Sequence, residues 1–263
     1  MENRGAESKR WWTFYRKWQE EEGEVIEELP ITFYVNGHEL ATIMGTPLNQ
    51  DWLAVGFLKN EGIINDVEEI EDLRITSEGC CVDVLLNRKV DFPDKIIITS
   101  GCGGGITYDD PRISIEPIQI KTCTTPDLIL QAFNNLQTKE SLYARARGVH
   151  AAGLLDLEDG QIIKVAEDIG RHNSLDKLRG ACLLEGIPTI GRGLLTTGRI
   201  SSEMLRKGAL MGCPLIVSRT SPTSLAVELA EAWKITLVGY ARHGKLRVYS
   251  YPERLGYGTE ADR

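Results

Sequence analysis

Short apolar runs alternate with helical patterns through the second half of the chain, and this alternation constrains the fold more than any other feature. The apolar runs predict strands at 149–157, 162–165, 194–197, 215–218, 236–240 and 246–251. The patterns between them predict helices at 173–185, 201–211 and 222–233. Since strands that alternate with helices form a sheet with helices packed on it, the predicted fold class is α/β.

The first half of the chain is rich in short strands. These are predicted, in chain order, at 31–35, 40–44, 72–75 and 82–86. The Asn36-Gly37 pair predicts a hairpin turn between the first two, and helices are predicted at 49–61 and 128–136. We expect a smaller antiparallel lobe before the α/β domain, so that the whole chain is an α+β arrangement.

Residues 1–23 combine many charges with five aromatic side chains. Trp11, Tyr15 and Trp18 fall at helical spacing and predict an N-terminal helix that packs on the body of the protein. The alternative is a docking element for a partner, because exposed tryptophan and tyrosine are strong anchors at interfaces.

The overall charge limits the partners that the chain can bind nonspecifically. The formal net charge is −8, whereas nonspecific binding of nucleic acids or anionic membranes needs a broad cationic surface. We therefore expect no nucleic acid and no membrane among the partners. No early stretch has the apolar core of a signal peptide and no segment approaches the length of a membrane span, so the expected location is the cytoplasm.

The cysteines predict reduced thiols rather than a disulfide framework, because no secretion signal accompanies them. They are Cys80, Cys81, Cys102, Cys123, Cys182 and Cys213. No C-x-x-C pair occurs, and the histidines are far apart in the sequence. Zinc sites usually need such pairs or clusters, so no zinc or other metal site is predicted.

One cysteine, Cys102, lies in the glycine-rich turn Ser-Gly-Cys-Gly-Gly-Gly at 100–105, directly after the apolar run 95–99. Glycines permit positive φ angles, and bare main-chain N–H groups stabilise a thiolate. A reactive thiol is one interpretation of this turn. A tight turn that contains a buried packing cysteine is the other.

Three predicted junctions between a strand and the next helix carry one arginine each, namely Arg171, Arg199 and Arg219. A fourth cationic turn, Tyr-Ala-Arg-His-Gly-Lys at 240–245, follows another predicted strand. In open sheets, ligands bind at the carboxyl ends of strands, and helix N-termini offer N–H donors to phosphates. Four cationic turns on an acidic chain therefore predict a phosphate-bearing polyanion as ligand.

Ordinary structural roles remain open for residues of these turns. Ser221 and the proline after it are typical of a helix cap, and lone arginines often pair with carboxylates. The acidic side chains that would pair with the arginines or hold sugar hydroxyls are Glu167, Asp168 and Asp176. His172 and His243 are equally compatible with a cap or surface role and with a role at the ligand.

Five segments of the chain carry a resemblance to a known family. They are ELPITFYVNGHELATIMGTPLNQDWLAVGFLKNEGII (28–64), GVHAAGLLD (148–156), AEDIGRHNSLDKLRGACL (166–183), TTGRISSEMLRKGALMGCPLIVSRTSPTSLAVELA (196–230) and TLVGYARHGKLRVYS (236–250). These segments resemble the FdhD family of formate dehydrogenase accessory proteins, over about residues 24–251. The resemblance divides the chain into an aromatic extension (1–23), a lobe that ends in the Cys102 loop (24–125), a cofactor-binding domain (126–251) and a tail (252–263).

The resemblance implies a sulfurtransferase that accepts sulfur from a cysteine desulfurase and passes it to the molybdenum or tungsten bis(pterin guanine dinucleotide) cofactor of formate dehydrogenase. It also implies a homodimer and a C-terminal domain related to cytidine deaminases. Cys102 matches the family's persulfide-carrying loop cysteine, and GDP is a partial mimic of the cofactor. The residues expected to hold the cofactor are Tyr240, Ala241, Arg242, His243, Gly244, Lys245, Arg171, Arg199, Arg219 and Ser221.

The sequence departs from the expected patterns at two places. Gly105 stands where the family loop has a second cysteine, so a relay between two loop thiols cannot operate in its usual form. His150-Ala151-Ala152 lacks the glutamate that deaminases need, so deamination is not expected. Three hypotheses stay open: sulfur transfer through Cys102 alone, a non-catalytic cofactor carrier or assembly chaperone, and a cysteine hydrolase.

Overall fold

The structure is a computed structural model, and it describes residues 5–76, 79–90, 97–98, 106–107, 115–120, 124–138 and 140–258. A long β-hairpin forms its N-terminal part. Strand β1 (Ala6–Tyr15) pairs antiparallel with β2 (Lys17–Ile26) around Arg16, whose φ is 60°. The helix predicted for this segment is wrong. Residues 11–15 are Trp-Trp-Thr-Phe-Tyr, all of which are common in strands. This preference for extended backbone prevails over the helical spacing.

A four-stranded sheet follows the hairpin. It contains β3 (Leu29–Val35), β4 (His38–Gly45), β5 (Ile70–Thr76) and β6 (Cys81–Leu86), in the order β4-β3-β6-β5. The predicted turn between β3 and β4 is confirmed, with positive φ at both Asn36 and Gly37. The prediction of a purely antiparallel lobe is wrong, because β3 and β6 run parallel. Helix α1 (Gln50–Asn60) and a short 3₁₀ turn (Val67–Glu69) provide the connection between β4 and β5.

A six-stranded sheet dominates the rest of the chain. It contains β9 (His150–Leu155), β10 (Ile162–Asp168), β11 (Gly193–Thr196), β12 (Leu215–Ser218), β13 (Thr236–Arg242) and β14 (Lys245–Val248), in the order β10-β9-β11-β12-β13-β14. The helices of this part are α2 (Pro126–Asn135), α3 (Leu142–Ala146), α4 (Arg171–Leu184), α5 (Ser202–Leu210) and α6 (Ser224–Ala232). All strands and helices predicted from 128 to 251 are confirmed within a few residues of their predicted bounds. Two short strands, β7 (Ile97–Ile98) and β8 (Ile106–Thr107), pair antiparallel, and a 3₁₀ turn (Pro252–Leu255) follows β14.

Helices cover both faces of the six-stranded sheet. On one face, α4, α5 and α6 pack their apolar side chains against alternate strand residues such as Ala152 and Leu194. On the other face, α2 packs Ile129 and Phe133 against the intervening residues, Leu195 among them. Because successive strand residues point to opposite faces, both faces are apolar, which explains the near-continuous apolar runs of the sequence. The α/β prediction is confirmed at this level; the relation to cytidine deaminases and the domain bounds stay predictions.

Helices α1 and α4 cross at two glycines. A Cβ atom on Gly56 would overlap the main-chain carbonyl oxygen of Asp176, and one on Gly180 would overlap that of Trp52. The two backbones therefore approach more closely than any residue with a side chain permits. Since α1 also covers the four-stranded sheet with Leu53 and Phe57, this crossing connects the cores of the two sheets.

Candidate anion-binding site

The carboxyl ends of four strands meet at one edge of the six-stranded sheet. Strand β9 is antiparallel to both β10 and β11, and β11, β12 and β13 are mutually parallel. Strands β10, β11, β12 and β13 therefore run in one direction and end at the same edge. The four cationic turns predicted from the sequence follow these four strands, so the structure brings together Arg171, Arg199, Arg219 and the turn 240–245.

Each of the four turns contacts the next one along this edge. A Cβ atom on Gly198 would lie 2.7 Å from the Cβ of Arg171, so the first two turns are in van der Waals contact. The Ser218 hydroxyl donates a hydrogen bond of 2.6 Å to the Gly198 carbonyl oxygen. The main-chain N–H of Tyr240 donates one of 2.9 Å to the Thr220 carbonyl oxygen. We call this continuous row of turns the cationic edge.

A cavity of about 400 Å³ opens at the cationic edge between α2 and the last two turns. Phe133 and Asn134 of α2 line one side, and Arg219, Arg242 and His243 line the other. The Arg219 guanidinium lies 5.9 Å from the centre of the Phe133 ring and donates a hydrogen bond of 3.3 Å to the side-chain oxygen of Gln137. The aromatic ring and the amide hold the guanidinium over the cavity, where its remaining N–H groups can meet an anion.

The turn 240–245 is a two-residue hairpin loop between β13 and β14. Arg242 and Lys245 pair across it, while His243 and Gly244 have φ of 54° and 71°, the backbone of a type I′ turn. The side chains from Arg242 to Lys245 are exposed, whereas Ala241 is buried in the core. The resulting turn presents the Arg242 and Lys245 cations on a main chain with little conformational freedom.

Tyr240 adopts a left-handed φ of 53° just before this turn. Its ring lies 4.3 Å from the guanidinium of Arg247 and 5.9 Å from that of Arg242. The ring therefore supports two cations at the border of the edge. Non-glycine residues with positive φ carry a backbone cost that surrounding structure has to offset, and they cluster at functional sites.

The turn after β11 presents Arg199 to solvent, beside a half-buried Ser221. The Ser221 carbonyl oxygen accepts a hydrogen bond of 3.2 Å from the N–H of Ile200, which joins the second and third turns. The interpretation of Ser221 as a helix cap is wrong: the hydroxyl of Thr223 caps α6. When several Ser and Thr residues precede a helix, the sequence does not show which of them caps it.

Arg171 and His172 differ from the expected pattern. Helix α4 begins at Arg171, with Gly170 as its cap residue, and both Arg171 and His172 are only 4% exposed. His172 points into the protein, where its Nε2 lies 3.3 Å from a carboxylate oxygen of Glu203. Burial holds the pKa of His172 well below its usual value, and the positive charges of Lys207 and Arg171 lower it further. His172 is therefore a neutral core residue.

The buried aspartates pair with lysines rather than with arginines, which corrects the pairing expected from the sequence. Asp168 accepts a charged hydrogen bond of 2.7 Å from Lys177, and the main-chain N–H of Thr46 donates to it as well. Asp176 accepts two, of 2.9 Å and 2.8 Å, from Lys207. All four charged side chains are almost fully buried. Because these carboxylates are occupied in the core, they neither neutralise the cationic edge nor face a ligand.

Two other titratable groups lie close to the edge. Glu167 accepts hydrogen bonds from the first N–H groups of α3, although burial raises its pKa. His150, at the start of β9, pairs with the last residue of β10, and its Nδ1 lies 3.3 Å from the hydroxyl oxygen of Thr197. Burial lowers the pKa of His150, and the Arg171 guanidinium lowers it further. His150 was not among the predicted site residues, because only the sheet order shows that β9 starts where its neighbours end.

Cys102, Gly105 and Cys123 lie outside the described residues. Of the described thiols, Cys182 and Cys213 are buried, and burial raises the pKa of Cys182 to about 11 and that of Cys213 to about 12. Both are therefore inert packing residues. Cys80 and Cys81 are half-buried at the start of β6. In the described part of the chain, no group of three His, Cys, Asp or Glu side chains could hold a metal ion.

Residues 26–256 match the sequence model of the FdhD/NarQ family. The chain belongs to the FdhD/NarQ family. It is 37% identical to the sulfur carrier protein FdhD of Staphylococcus haemolyticus, over 89% of this chain and 93% of that protein, and 35% identical to that of Bacillus subtilis, over 90% and 95%. A crystal structure described as that of a formate dehydrogenase accessory protein, from Desulfotalea psychrophila, has a TM-score of 0.78 and 27% identity, and covers 95% of this chain and 99% of its own.

The resemblance found in the sequence is thus confirmed. The match to the FdhD/NarQ family includes all four turns of the cationic edge, whereas most of the N-terminal hairpin precedes it. The structural similarity covers 95% of this chain and therefore extends over both sheets. No helix in the described residues is long and apolar enough to cross a membrane.

Proposed function

We propose that this FdhD/NarQ protein carries sulfur from a cysteine desulfurase to the bis(pterin guanine dinucleotide) cofactor of formate dehydrogenase, with molybdenum or tungsten as the metal of that substrate. The names of its relatives support the sulfur-carrier role. The observation on which the cofactor half of the proposal rests is the convergence of four turns at one edge of the sheet, three of which keep an arginine (Arg199, Arg219 or Arg242) exposed or half-exposed. A bis(guanine dinucleotide) carries two diphosphates, and a row of guanidinium groups is suited to bind both.

The residues of the cationic edge fit such a substrate. Arg219, Arg242 and His243 line one cavity, where guanidinium groups can donate to diphosphate oxygens in pairs. Arg199 is exposed on the turn next to that of Arg219, where it can contact a second phosphate group. Asp168 and Asp176 are held by lysines in the core, so neither carboxylate competes for the edge arginines. Because the chain has a net charge of −8, an anion-binding site on it has to be a local concentration of cations.

The sulfur step would take place at Cys102. Its thiolate attacks the outer sulfur of a persulfide on the desulfurase, so that the bond between the two donor sulfurs breaks and a new one forms on Cys102. The donor cysteine leaves as a thiolate, and the reaction involves no net oxidation. The glycines on both sides of Cys102 would let the loaded sulfur reach a substrate held at the edge.

A non-catalytic carrier that binds the cofactor without transferring sulfur is the second candidate. The observation that favours it is Gly105, which removes the second loop thiol. The buried Cys182 and Cys213 cannot replace this thiol, since burial raises the pKa of both. The two candidates share the cationic edge and differ only in whether Cys102 carries sulfur.

Intact-protein mass spectrometry after incubation with a cysteine desulfurase and cysteine distinguishes the two. The sulfur carrier gains the mass of one sulfur, which reducing agents remove, and Cys102→Ala gains none and does not activate formate dehydrogenase. Cys81→Ala, which removes a half-buried thiol elsewhere, is the matched control and retains both properties. Activation by Cys102→Ala would establish the non-catalytic carrier instead.

A further inference from the structure

His150 lies between the first two turns of the cationic edge. Strand β9, which begins at His150, lies between β10 and β11 in the sheet. On one side, His150 pairs with Asp168, the last strand residue before the turn of Arg171. On the other side, the main-chain N–H of Thr197 donates a hydrogen bond of 3.0 Å to the carbonyl oxygen of Ala151. The imidazole is therefore placed within the edge, although no step of the proposed function uses it.

The hydroxyl of Thr197 determines which nitrogen of this imidazole carries the proton. Its oxygen accepts a hydrogen bond of 2.9 Å from the main-chain N–H of Ala151 and lies 3.3 Å from Nδ1 of His150. A hydroxyl that accepts from an N–H group still has its own proton to donate, and Nδ1 is within reach of it. The neutral imidazole then carries its proton on Nε2.

The second ring nitrogen, Nε2, is available to a ligand. His150 is half-buried, and its Nε2 is not among the fully buried polar atoms. Among the residues that the structure describes, none forms a hydrogen bond with Nε2. An imidazole with Nδ1 held and Nε2 accessible has a fixed direction in which it can donate a hydrogen bond.

The groups around His150 keep the imidazole uncharged at neutral pH in the free protein. Burial lowers the pKa of His150, the Arg171 guanidinium lowers it further, and Asp168 acts in the opposite direction. Asp168 is itself paired with the ammonium group of Lys177, and the neighbouring His172 is neutral as well. A phosphate at this place adds negative charge next to the imidazole and therefore favours its protonated form.

We propose that His150 is a ligand-binding residue of the cationic edge, which donates a hydrogen bond from Nε2 to the phosphate group that Arg199 contacts and takes up a proton on Nδ1 as that phosphate binds. The solvent supplies this proton, and no covalent bond of the ligand forms or breaks. The new Nδ1–H group donates to the second lone pair of the Thr197 hydroxyl oxygen. This inference rests on the proposed function, because it needs a phosphate at the edge.

Calorimetric titration with diguanosine tetraphosphate tests the proposal. All four phosphates of this probe lie within the chain that joins its two guanosines, so none of them titrates near neutral pH. In buffers of different ionisation enthalpy, we expect the wild-type protein to take up about half a proton or more per ligand at pH 7. The dissociation constant should rise about fivefold or more between pH 6 and pH 8, since the affinity that protonated His150 supplies is lost as the pH rises through the pKa of the complex.

The substitution His150→Gln keeps an N–H donor at this position but cannot gain a proton. We expect this variant to take up no proton, to bind the probe about fivefold more weakly than the wild type at pH 6, and to bind it equally at pH 8. His38→Gln is the matched control, because it removes an exposed imidazole at the start of β4. Proton uptake that persists in His150→Gln, or that is lost in His243→Gln instead, would overturn the proposal.

NMR spectroscopy of the wild-type protein supplies a second measurement that needs no variant. The chain contains only four histidines, so their ring signals can be followed one by one. Diguanosine tetraphosphate is expected to raise the pKa of His150 by about one pH unit or more and to leave that of His38 unchanged. Binding without such a rise would overturn this inference and leave the cationic edge in place, whereas absence of binding would contradict the proposed function as well.

Discussion

At the scale of single residues, burial separates the charges that hold the fold from those available to a ligand. Lys177 and Lys207 are almost fully buried and each binds an aspartate, so both are structural. Arg199 and Arg242 are exposed at the cationic edge. The sequence shows only that cations cluster in this region. Which of them turn inward depends on helix phase, and the start of α4 one residue after Gly170 takes His172 into the core.

The buried histidines predict how stability depends on pH. The pKa values of His150 and His172 are lower in the folded protein than the usual 6.5, so the unfolded chain binds more protons below that pH. The free energy of unfolding should therefore fall as the pH is lowered from 6.5 to 5.5, by up to about 1.4 kcal/mol per pH unit for each imidazole. Urea unfolding at a series of pH values measures this slope.

The substitution His172→Gln removes one of the two groups, and we expect it to reduce the slope over this range whatever it does to stability at pH 7. His38→Gln, which removes an exposed imidazole, is the matched control. An unchanged slope in His172→Gln would show that His172 is protonated in the folded protein at pH 5.5.

At the scale of elements, the crossing of α1 and α4 connects the two sheets through Gly56 and Gly180. Both glycines lie inside helices, where glycine is intrinsically unfavourable by up to about 1 kcal/mol relative to alanine. Close contact with the opposite backbone is the reason for their presence, because a Cβ atom on either would overlap a carbonyl oxygen. The sequence does not reveal such a contact, since an isolated glycine in a helical pattern equally suggests a weak or ending helix.

Gly56→Ala and Gly180→Ala are each expected to destabilise the protein by about 3 kcal/mol or more, although alanine is the better helix former, because the helices have to separate. The measurement is the midpoint of denaturant unfolding. Ala232→Gly on α6, which changes one Cβ atom at an exposed helical position, is the control and should cost about 1 kcal/mol or less. An increase in stability in either glycine variant would contradict the close crossing.

Elements were predictable from the sequence to different degrees. The strands and helices from 128 to 251 follow from strong apolar runs with Gly and Pro at their ends. The N-terminal hairpin does not follow from its sequence pattern, because its aromatic residues satisfy a helical spacing by coincidence and its strands have polar residues on both faces. The parallel pairing of β3 with β6 was also missed, since it is formed between segments about fifty residues apart and leaves no local signal.

At the scale of the whole molecule, the cationic edge results from topology. Arg171, Arg199 and Arg219 are up to 48 residues apart in the sequence, and they meet because β10 to β13 end at one edge. An open sheet with helices on both faces made this meeting predictable without coordinates. The position of His150 close to this edge was not predictable, because it depends on the place of β9 as an antiparallel strand within the sheet.

The central proposal is that this edge binds the diphosphate of a guanine nucleotide, and calorimetric titration with GDP at low salt tests it most directly. We expect wild-type protein to bind GDP, and Arg219→Ala and Arg242→Ala each to weaken binding by about tenfold or more through loss of a charged hydrogen bond. Arg192→Ala, which removes a guanidinium before β11 at the opposite edge, should bind as the wild type does. Absence of GDP binding by the wild type, or an equal loss in all three variants, would contradict the claim.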